Sequence, residues 1–407
     1  MKVLVLNCGS SSVKFRFIET SRKRINDNAD EELAKGMIEK IGLPGAEIHF
    51  YGKDNKYYHE VAEVLDHGFA LEKAVSLLVN EEFGVIKSED DIAAVGHRVV
   101  HGGESFSESV IVDENVEIEI QKCARFAPLH NPHNLKGIRV ALEKFRGIPN
   151  IAAFDTGFHQ SIEAKAYLYG IPSYFYYRDK IRKYGFHGLS HRYISFYLSR
   201  LLGKSKTEQK LISCHLGNGA SVCAINSHES RDTSMGLSPL EGLVMGTRCG
   251  DLDPEAVIYL MAREGLSMNE LNSMLNKHSG LLGISGVSND MRTLIKEAKK
   301  GNINCRNAID VFCYRLKKYI AAYMGVLNGC DAIVFTAGIG ENVPEVREKA
   351  LENMEYLGIK IDPAKNRKVT GSVGEISADD SQVKSYVIPT NEELVIARDT
   401  VRILEKK

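Results

Sequence analysis

Apolar and polar positions fall into a repeating plan. Residues 2–6 are rich in Val and Leu, residues 7–12 (NCGSSS) are polar with one glycine, and residues 13–18 are again rich in Val, Phe and Ile. This predicts two strands joined by a glycine/serine turn. The plan returns near mid-chain: 211–215 is strand-like, 216–220 (LGNGA) is a glycine turn, and 221–225 is strand-like. Superimposing Ser12-Val13 on Ser221-Val222 aligns the two hairpins, which implies duplication of one large unit and not a short solenoid repeat. A third strand, 331–336, runs into the glycine-bearing segment 337–342 (AGIGEN). Pro344 then opens a helix, PEVREKALENMEYLG, that Gly358 closes. Helical apolar spacing predicts a helix over 68–81, and the charged run 21–32 (SRKRINDNADEE) is expected to be a solvated, inserted loop. Strands alternating with helices predict an α/β protein. Two similar halves favour a ligand in the cleft between them, a common home for such sites.

Length and charge narrow this. A chain of 407 residues has room for two or three domains, and its net charge of −1 leaves no electrostatic footprint for nucleic acid or an anionic membrane. Small anionic ligands must then be held by local arginines and backbone amides. No stretch approaches the ~20 apolar residues of a membrane span. The N-terminus, MKVLVLNCGSSSVKFRF, has no small-residue cleavage site and is not expected to be a signal peptide. The eight cysteines are scattered without a CxxC pair, so reduced thiols in a cytoplasmic protein are expected, and neither a disulfide framework nor a zinc site.

Several segments carry candidate chemistry. A glycine or serine turn between strands exposes backbone N–H groups that suit a phosphate oxygen. One such turn alone reads as an ordinary hairpin, but three in one chain ask for more. Leu202-Gly203-Lys204-Ser205 lacks the upstream glycine of a P-loop, and Gly338-Ile339-Gly340 lacks the third glycine of a dinucleotide fingerprint. Arg98 (in 96–104, GHRVVHGGE) and Arg248 (in 246–251, GTRCGD) stand among glycines. Each suits bidentate binding of carboxylate or phosphate, or equally a structural role on loop carbonyls. His187 and His191, four apart, read as a phosphoryl donor or as core histidines better than as a zinc pair, because HExxH is absent. His130 sits in a proline-bounded turn, 127–132. Asp155 follows the apolar run 150–154, which places it at a strand end where ligands bind, or makes it a turn or N-cap residue.

Taken together, LNCGSSSVKF (6–15), GHRVVHGGE (96–104), APLHNP (127–132), FDTGFHQ (154–160), YGFHGLSH (184–191), HLGNGASV (215–222), DTSMGLSPLEGLVMGTRCGDLDP (232–254), TAGIGEN (336–342) and PTNEELVIARDT (389–400) closely resemble the acetate kinase family, in its order and over nearly the whole chain. That family belongs to the superfamily of acetate and sugar kinases, heat-shock chaperone ATPases and actin.

The resemblance implies an α/β fold of two similar duplicated domains of the actin-like ATPase (ribonuclease H-like) type with a nucleotide cleft. One domain would hold 1–154 plus 389–407, with a helix around 393–405 returning to it; the other, 155–388, would carry most of the nucleotide site. It implies reversible phosphoryl transfer from ATP to acetate, giving acetyl phosphate and ADP by direct in-line transfer. Mg2+ would be required, with Mn2+ as a substitute. It also implies a homodimer, and no nucleic-acid or membrane partner. Asn7 and Glu392, chosen over Glu393, would hold Mg2+. Ser10, Ser12 and Lys14 would lie near the phosphates. His215, Leu216, Gly217, Asn218 and Gly219, then Asp290, Met291 and Arg292, then Gly338, Ile339, Gly340, Glu341 and Asn342 would frame the nucleotide. Arg98 and Arg248 would clamp the carboxylate and the moving phosphoryl group, with His187 donating to that group and His130 a secondary member. Val100, Leu129, Phe186 and Pro239 would line the acyl pocket. Leu189 stands where the family usually has Thr, and Gly157 where Ala is common. The family gives Asp155 a catalytic role. A carboxylate acceptor is already ionised at pH 7 and needs no general base, so Asp155 is expected to orient Arg248 or the acceptor. The alternatives are a propionate kinase of the same superfamily and a non-catalytic ATP-driven switch.

Overall fold

The computed structural model describes residues 1–203 and 209–406, so Lys204 and Ser205 of the glycine–lysine candidate lie outside the described residues. The chain divides into two compact units, Met1–Gln160 with Asn391–Lys407, and Ser161–Thr390.

The first unit is built on an eight-stranded sheet. Its strands are β1 (Lys2–Cys8), β2 (Ser12–Glu19), β3 (Glu31–Glu39), β4 (Ala46–Tyr51), β5 (Tyr57–Ala62), β6 (Ala94–Val99), β7 (Val110–Ile111) and β8 (Asn150–Phe154), in the order β5-β4-β3-β2-β1-β6-β8-β7. β2 is antiparallel to β1, and β6 and β8 run parallel to it. Val3, Leu4, Val5 and Leu6 are all buried, which is why this central strand reads as an unbroken apolar run. Leu4 and Leu6 join a core with Phe15, Phe17, Ala70 and Ala141. At Gly96 of β6, a Cβ would meet Ile396 Cγ2 at 2.5 Å, so the C-terminal helix, Glu392–Leu404, can pack on β1 and β6 only over a glycine.

The second unit has a six-stranded sheet: β9 (Lys210–Leu216), β10 (Ala220–Asn226), β11 (Glu229–Thr233), β12 (Ala332–Thr336), β13 (Gly374–Glu375) and β14 (Lys384–Val387), in the order β11-β10-β9-β12-β14-β13. β10 is antiparallel to β9, β12 is parallel to β9, and β14 is parallel to β12. The series β3-β2-β1-β6-β8 and β11-β10-β9-β12-β14 therefore share order and direction, and the duplication is one of whole folds. The first sheet adds β4 and β5 beyond β3, and the hairpin turns differ. Cys8 opposite Val13 closes the first, and Leu216 opposite Ala220 closes the second.

Four expectations need correction. The run 21–32 is not a solvated loop. Ser21 caps a helix, Arg22–Asp27, by accepting from the Arg24 N–H. Ile25 is buried, Asn28 ends the helix in the left-handed conformation, and β3 begins at Glu31. Arg22 and Asp30 of this run pair with Glu405 and Arg398, tying it to the C-terminal helix. Segment 337–342 is not a turn but a helix, Ala337–Asn342, whose Glu341 carboxylate accepts from the Ala337 N–H. The next helix stops at Leu351, because Asn353 turns left-handed at φ 54 before a short turn of 3-10 helix over Glu355–Leu357 leads to Gly358. The helix predicted over 68–81 spans His67–Leu78, started by Asp66 as N-cap. The two units, expected to divide after residues 154 and 388, divide after Gln160 and Thr390. The Asp155 N–H donates to Val99 O at 2.9 Å and Gln160 Nε2 to Gly103 O at 3.0 Å, which keeps 155–160 with the first sheet.

All eight cysteines are free thiols. No helix among the described residues is long and apolar enough to cross a membrane.

Candidate active site

In the first unit, chemistry gathers at the ends of β6 and β8. The two strands are parallel neighbours, with Arg98 opposite Ala153 and Val99 opposite Phe154, so Arg98 and Asp155 emerge side by side. Arg98 donates from Nε to Asp155 Oδ1 (3.1 Å) and from Nη2 to Oδ2 (2.8 Å), a two-pronged fork. Its Nη1 lies 3.5 Å from Glu392 Oε2. Within this unit Asp155 thus partners Arg98. Burial works against a charged Arg98, but Asp155 and Glu392 outweigh it and raise its pKa. Glu392 is pushed up to about 7, by burial first and then by Asp155 and Glu393, against the pull of Arg98 and Lys14. Two carboxylates here share one guanidinium. Glu393 faces elsewhere, 3.4 Å from Arg16 Nε. Glu392 is held in place because Asn391 caps its helix by accepting from the Leu394 N–H at 3.1 Å.

Around this set, Asn7 of β1 stands opposite Lys14 of β2, Ser10 lies exposed in the turn, and Ser12 opens β2. His130 is the N-cap residue of the helix Asn131–Lys144. Val100 is half-buried, and Leu129 is exposed. Sequence reasoning passed over two asparagines in the first turn of that helix. Asn134 accepts from the Val100 N–H (3.1 Å) and donates to Cys8 O (2.8 Å). Asn131 accepts from the His101 N–H (3.0 Å) and returns a bond to its carbonyl (2.9 Å). Together they fix the backbone just beyond Arg98. The only signal for them was a pair of amides, Asn131 and Asn134, flanking a proline at a helix start.

In the second unit, His187 adopts a left-handed φ of 56° just before the helix Gly188–Leu201. Its Nδ1 bonds Ser221 Oγ at 2.9 Å, and His191 Nε2 bonds the same oxygen at 2.8 Å. His191 Nδ1 meets Ser213 Oγ at 2.9 Å. The two imidazoles converge on a hydroxyl, which removes the zinc-pair reading. His187 also stacks on His215, ring centroids 4.1 Å apart, and His215 Nδ1 bonds Ser190 Oγ at 2.8 Å. Arg248 sits nearby. A Cβ at Gly219 would lie 3.3 Å from Arg248 Nη1 and 3.5 Å from His187 Nε2, so both groups stand over the same glycine. Arg248 Nη1 donates to Pro239 O (3.2 Å) and to Met245 Sδ (3.8 Å), and among the described residues no carboxylate pairs with it. Burial lowers its pKa. A partly buried cation without a counter-ion is a standing electrostatic demand for an anion. Phe186 is buried and Pro239 half-buried beside these groups in sequence.

The same unit holds a cavity of about 500 Å³ lined by Gly217, Asn218, Asn289, Asp290, Met291, Arg292, Gly338, Ile339, Asn342 and Val343. Three distant chain segments expected to frame a nucleotide thus meet at one cavity. His215, Leu216, Gly219, Gly340 and Glu341 do not line it. Glu341 instead bonds the Ala337 N–H and, at 3.2 Å, the Thr390 N–H, and Gly340 is packed close to Phe335 and Cys214. Arg292 is engaged by Asp290 in a fork of 3.1 and 2.7 Å. Sequence reasoning missed Arg347, which is fully buried. It donates to the carbonyls of Gly340 (2.8 Å), Glu341 (3.0 Å), Asn366 (2.8 Å) and Val369 (2.7 Å) and to Asn366 Oδ1 (2.7 Å). It therefore anchors the Ala337–Asn342 helix beneath the cavity. Burial drops its pKa to about 10, so it stays charged at neutral pH.

The chain matches the Acetokinase family over residues 2–398. An acetate kinase from Caldicellulosiruptor saccharolyticus is 52% identical over 407 residues, spanning 100% of both chains. Among solved structures, the acetate kinase of Porphyromonas gingivalis superposes with a TM-score of 0.92 at 42% identity, covering 99% of each chain. A propionate kinase from Francisella tularensis superposes with a TM-score of 0.90 at 40% identity, covering 98% of each.

Proposed function

The chain belongs to the acetokinase family, and from that premise we propose that it transfers the γ-phosphoryl group of ATP to acetate, reversibly, giving acetyl phosphate and ADP. The observation that carries the reading is Arg248, a partly buried guanidinium beside His187 Nε2 with which no carboxylate pairs among the described residues. Such a pair suits a group whose charge spreads over three equatorial oxygens in the transition state.

One carboxylate oxygen of acetate attacks the γ-phosphorus as the bond to the ADP oxygen breaks. No proton need move, because acetate is ionised at neutral pH. Asp155 is committed to the Arg98 fork and serves as its positioning residue. Arg98 and Arg248 bind the carboxylate and the transferring phosphoryl group, and His187 donates to the latter. Ser10, Ser12 and Lys14 meet phosphate oxygens, and the cavity bounded by 217–218, 289–292, 338–339 and 342–343 receives the nucleoside.

Asn7 and Glu392 fit a hard divalent cation. Both offer oxygen, and a cation would offset the burial and the neighbouring Asp155 and Glu393 charges that raise Glu392. When bound, Mg2+ neutralises and orients the phosphate oxygens. Free cysteines support a cytoplasmic setting, and a homodimer is proposed as the commonest oligomer.

Propionate as the acceptor is the second reading, favoured by the likeness to the propionate kinase. One methylene in an apolar pocket changes selectivity by only about 1–3 kcal/mol. ADP release measured with acetate, propionate, butyrate and no acid separates the two. The reading predicts the highest kcat/KM with acetate, a lower value with propionate and background with butyrate. A higher kcat/KM with propionate would replace acetate as the substrate.

A further inference from the structure

Away from the proposed active site, Glu47, His49 and His59 each place one ligand atom within 4.8 Å of the others. The arrangement follows from strand geometry. β4 and β5 are antiparallel with His49 directly opposite His59, and Glu47 lies two residues before His49 on the same face. The two imidazole centroids are 4.8 Å apart. His49 Nδ1 bonds the Tyr57 hydroxyl at 2.8 Å. That bond engages Nδ1, and the other ring nitrogen, Nε2, is the atom 3.7 Å from Glu47 Oε2. Lys40 pairs with the other oxygen of Glu47, Oε1, so the carboxylate is held with Oε2 toward the histidines.

We propose that Glu47, His49 and His59 form a binding site for a divalent transition-metal ion of the zinc type. Its ligands are two imidazole nitrogens and Glu47 Oε2, and with Nε2 of His49 on the ion its Nδ1–H would donate to the Tyr57 oxygen. Two nitrogens and one oxygen, with a position left for water, is a donor set that zinc favours and Mg2+ does not. Side-chain rotation alone has to bring the ligand atoms to the ~2.0–2.2 Å that zinc requires. β5 is the edge strand and pairs only with β4, so the ion would pin that edge across the strand pair. This site shares no residue with the proposed Mg2+ ligands and stands whether or not the acetate reading holds.

The test is calorimetric titration of the full-length protein with Zn2+ in excess Mg2+, comparing wild type with His49→Asn, His59→Asn and Lys40→Met. The proposal predicts a Zn2+ site in the wild type that Mg2+ does not displace. Either histidine substitution should weaken it at least ~10-fold, and Lys40→Met should tighten it by removing a competing cation. Mg2+-supported turnover of His59→Asn, without Zn2+, should equal that of the wild type. Should His59→Asn fold poorly, Glu47→Gln removes the oxygen ligand in its place and should weaken binding likewise. Zn2+ isotherms unchanged by all three ligand substitutions, or Zn2+ displaced by Mg2+, would overturn it.

Discussion

Arg248 Nη1 and His187 Nε2 stand over one point, the empty Cβ position of Gly219, at 3.3 and 3.5 Å. A methyl there asks the far end of the arginine to give by a few tenths of an ångström and meets the imidazole at ordinary contact distance. Gly219→Ala should therefore lower kcat, by less than the ~10²-fold that misplacing a group by a full ångström costs. Its thermal midpoint should match the wild type. A variant with full kcat would show that this contact does not set the geometry of the two donors.

Arg248→Ala should cut kcat by ~10³–10⁵, the range of arginine fingers on transferring phosphoryl groups. The same change removes a partly buried charge with which no carboxylate pairs among the described residues, so stability in urea should hold or rise. A loss below about tenfold in kcat would take Arg248 out of the mechanism.

Asp155→Asn breaks the fork that orients Arg98. Activity should drop, with KM for acetate rising, because Arg98 loses its fixed direction. The pH–rate profile should keep its acidic limb, since Asp155 takes no proton from the acceptor. Loss of that limb in the variant would identify Asp155 as a general base after all.

His97 is buried and bonded through Nε2 to Asn150 Oδ1 at 2.7 Å, and burial lowers its pKa from 6.5 to about 4. Between those values the unfolded chain binds a proton that the folded chain refuses. Stability from this residue is therefore complete above pH 6.5 and falls as pH drops toward 4, by about 3 kcal/mol in all. Urea midpoints at pH 7.5 and 4.5 should draw together in His97→Gln relative to the wild type. Equal pH dependence in both proteins would count against His97 as the acid-sensitive group.

The strands that build the two sheets were legible because central strands are buried on both faces. Val3, Leu4, Val5 and Leu6, and likewise the apolar residues of β9, β10 and β12, leave no polar alternation to misread. The helix Arg22–Asp27 was not legible, because its single buried residue, Ile25, sets no period. Ala337–Asn342 reads as a turn because two of its six residues are glycine, a poor helix former, and the helix is too short to show a period. The Arg98–Asp155 fork spans 57 residues and exists only because β6 and β8 are parallel neighbours, a pairing that no local pattern announces. Arg347 was invisible for a related reason. An arginine among Glu345, Glu348 and Lys349 reads as a solvated helix face, and only the fold buries it against carbonyls.

Hydroxylamine trapping of the product formed from ATP, Mg2+ and acetate tests the central claim most directly. The account predicts acetyl hydroxamate in amounts equal to the ADP released. ADP accompanied by inorganic phosphate, with no hydroxamate from acetate or propionate, would contradict it and leave an ATP-hydrolysing switch in its place.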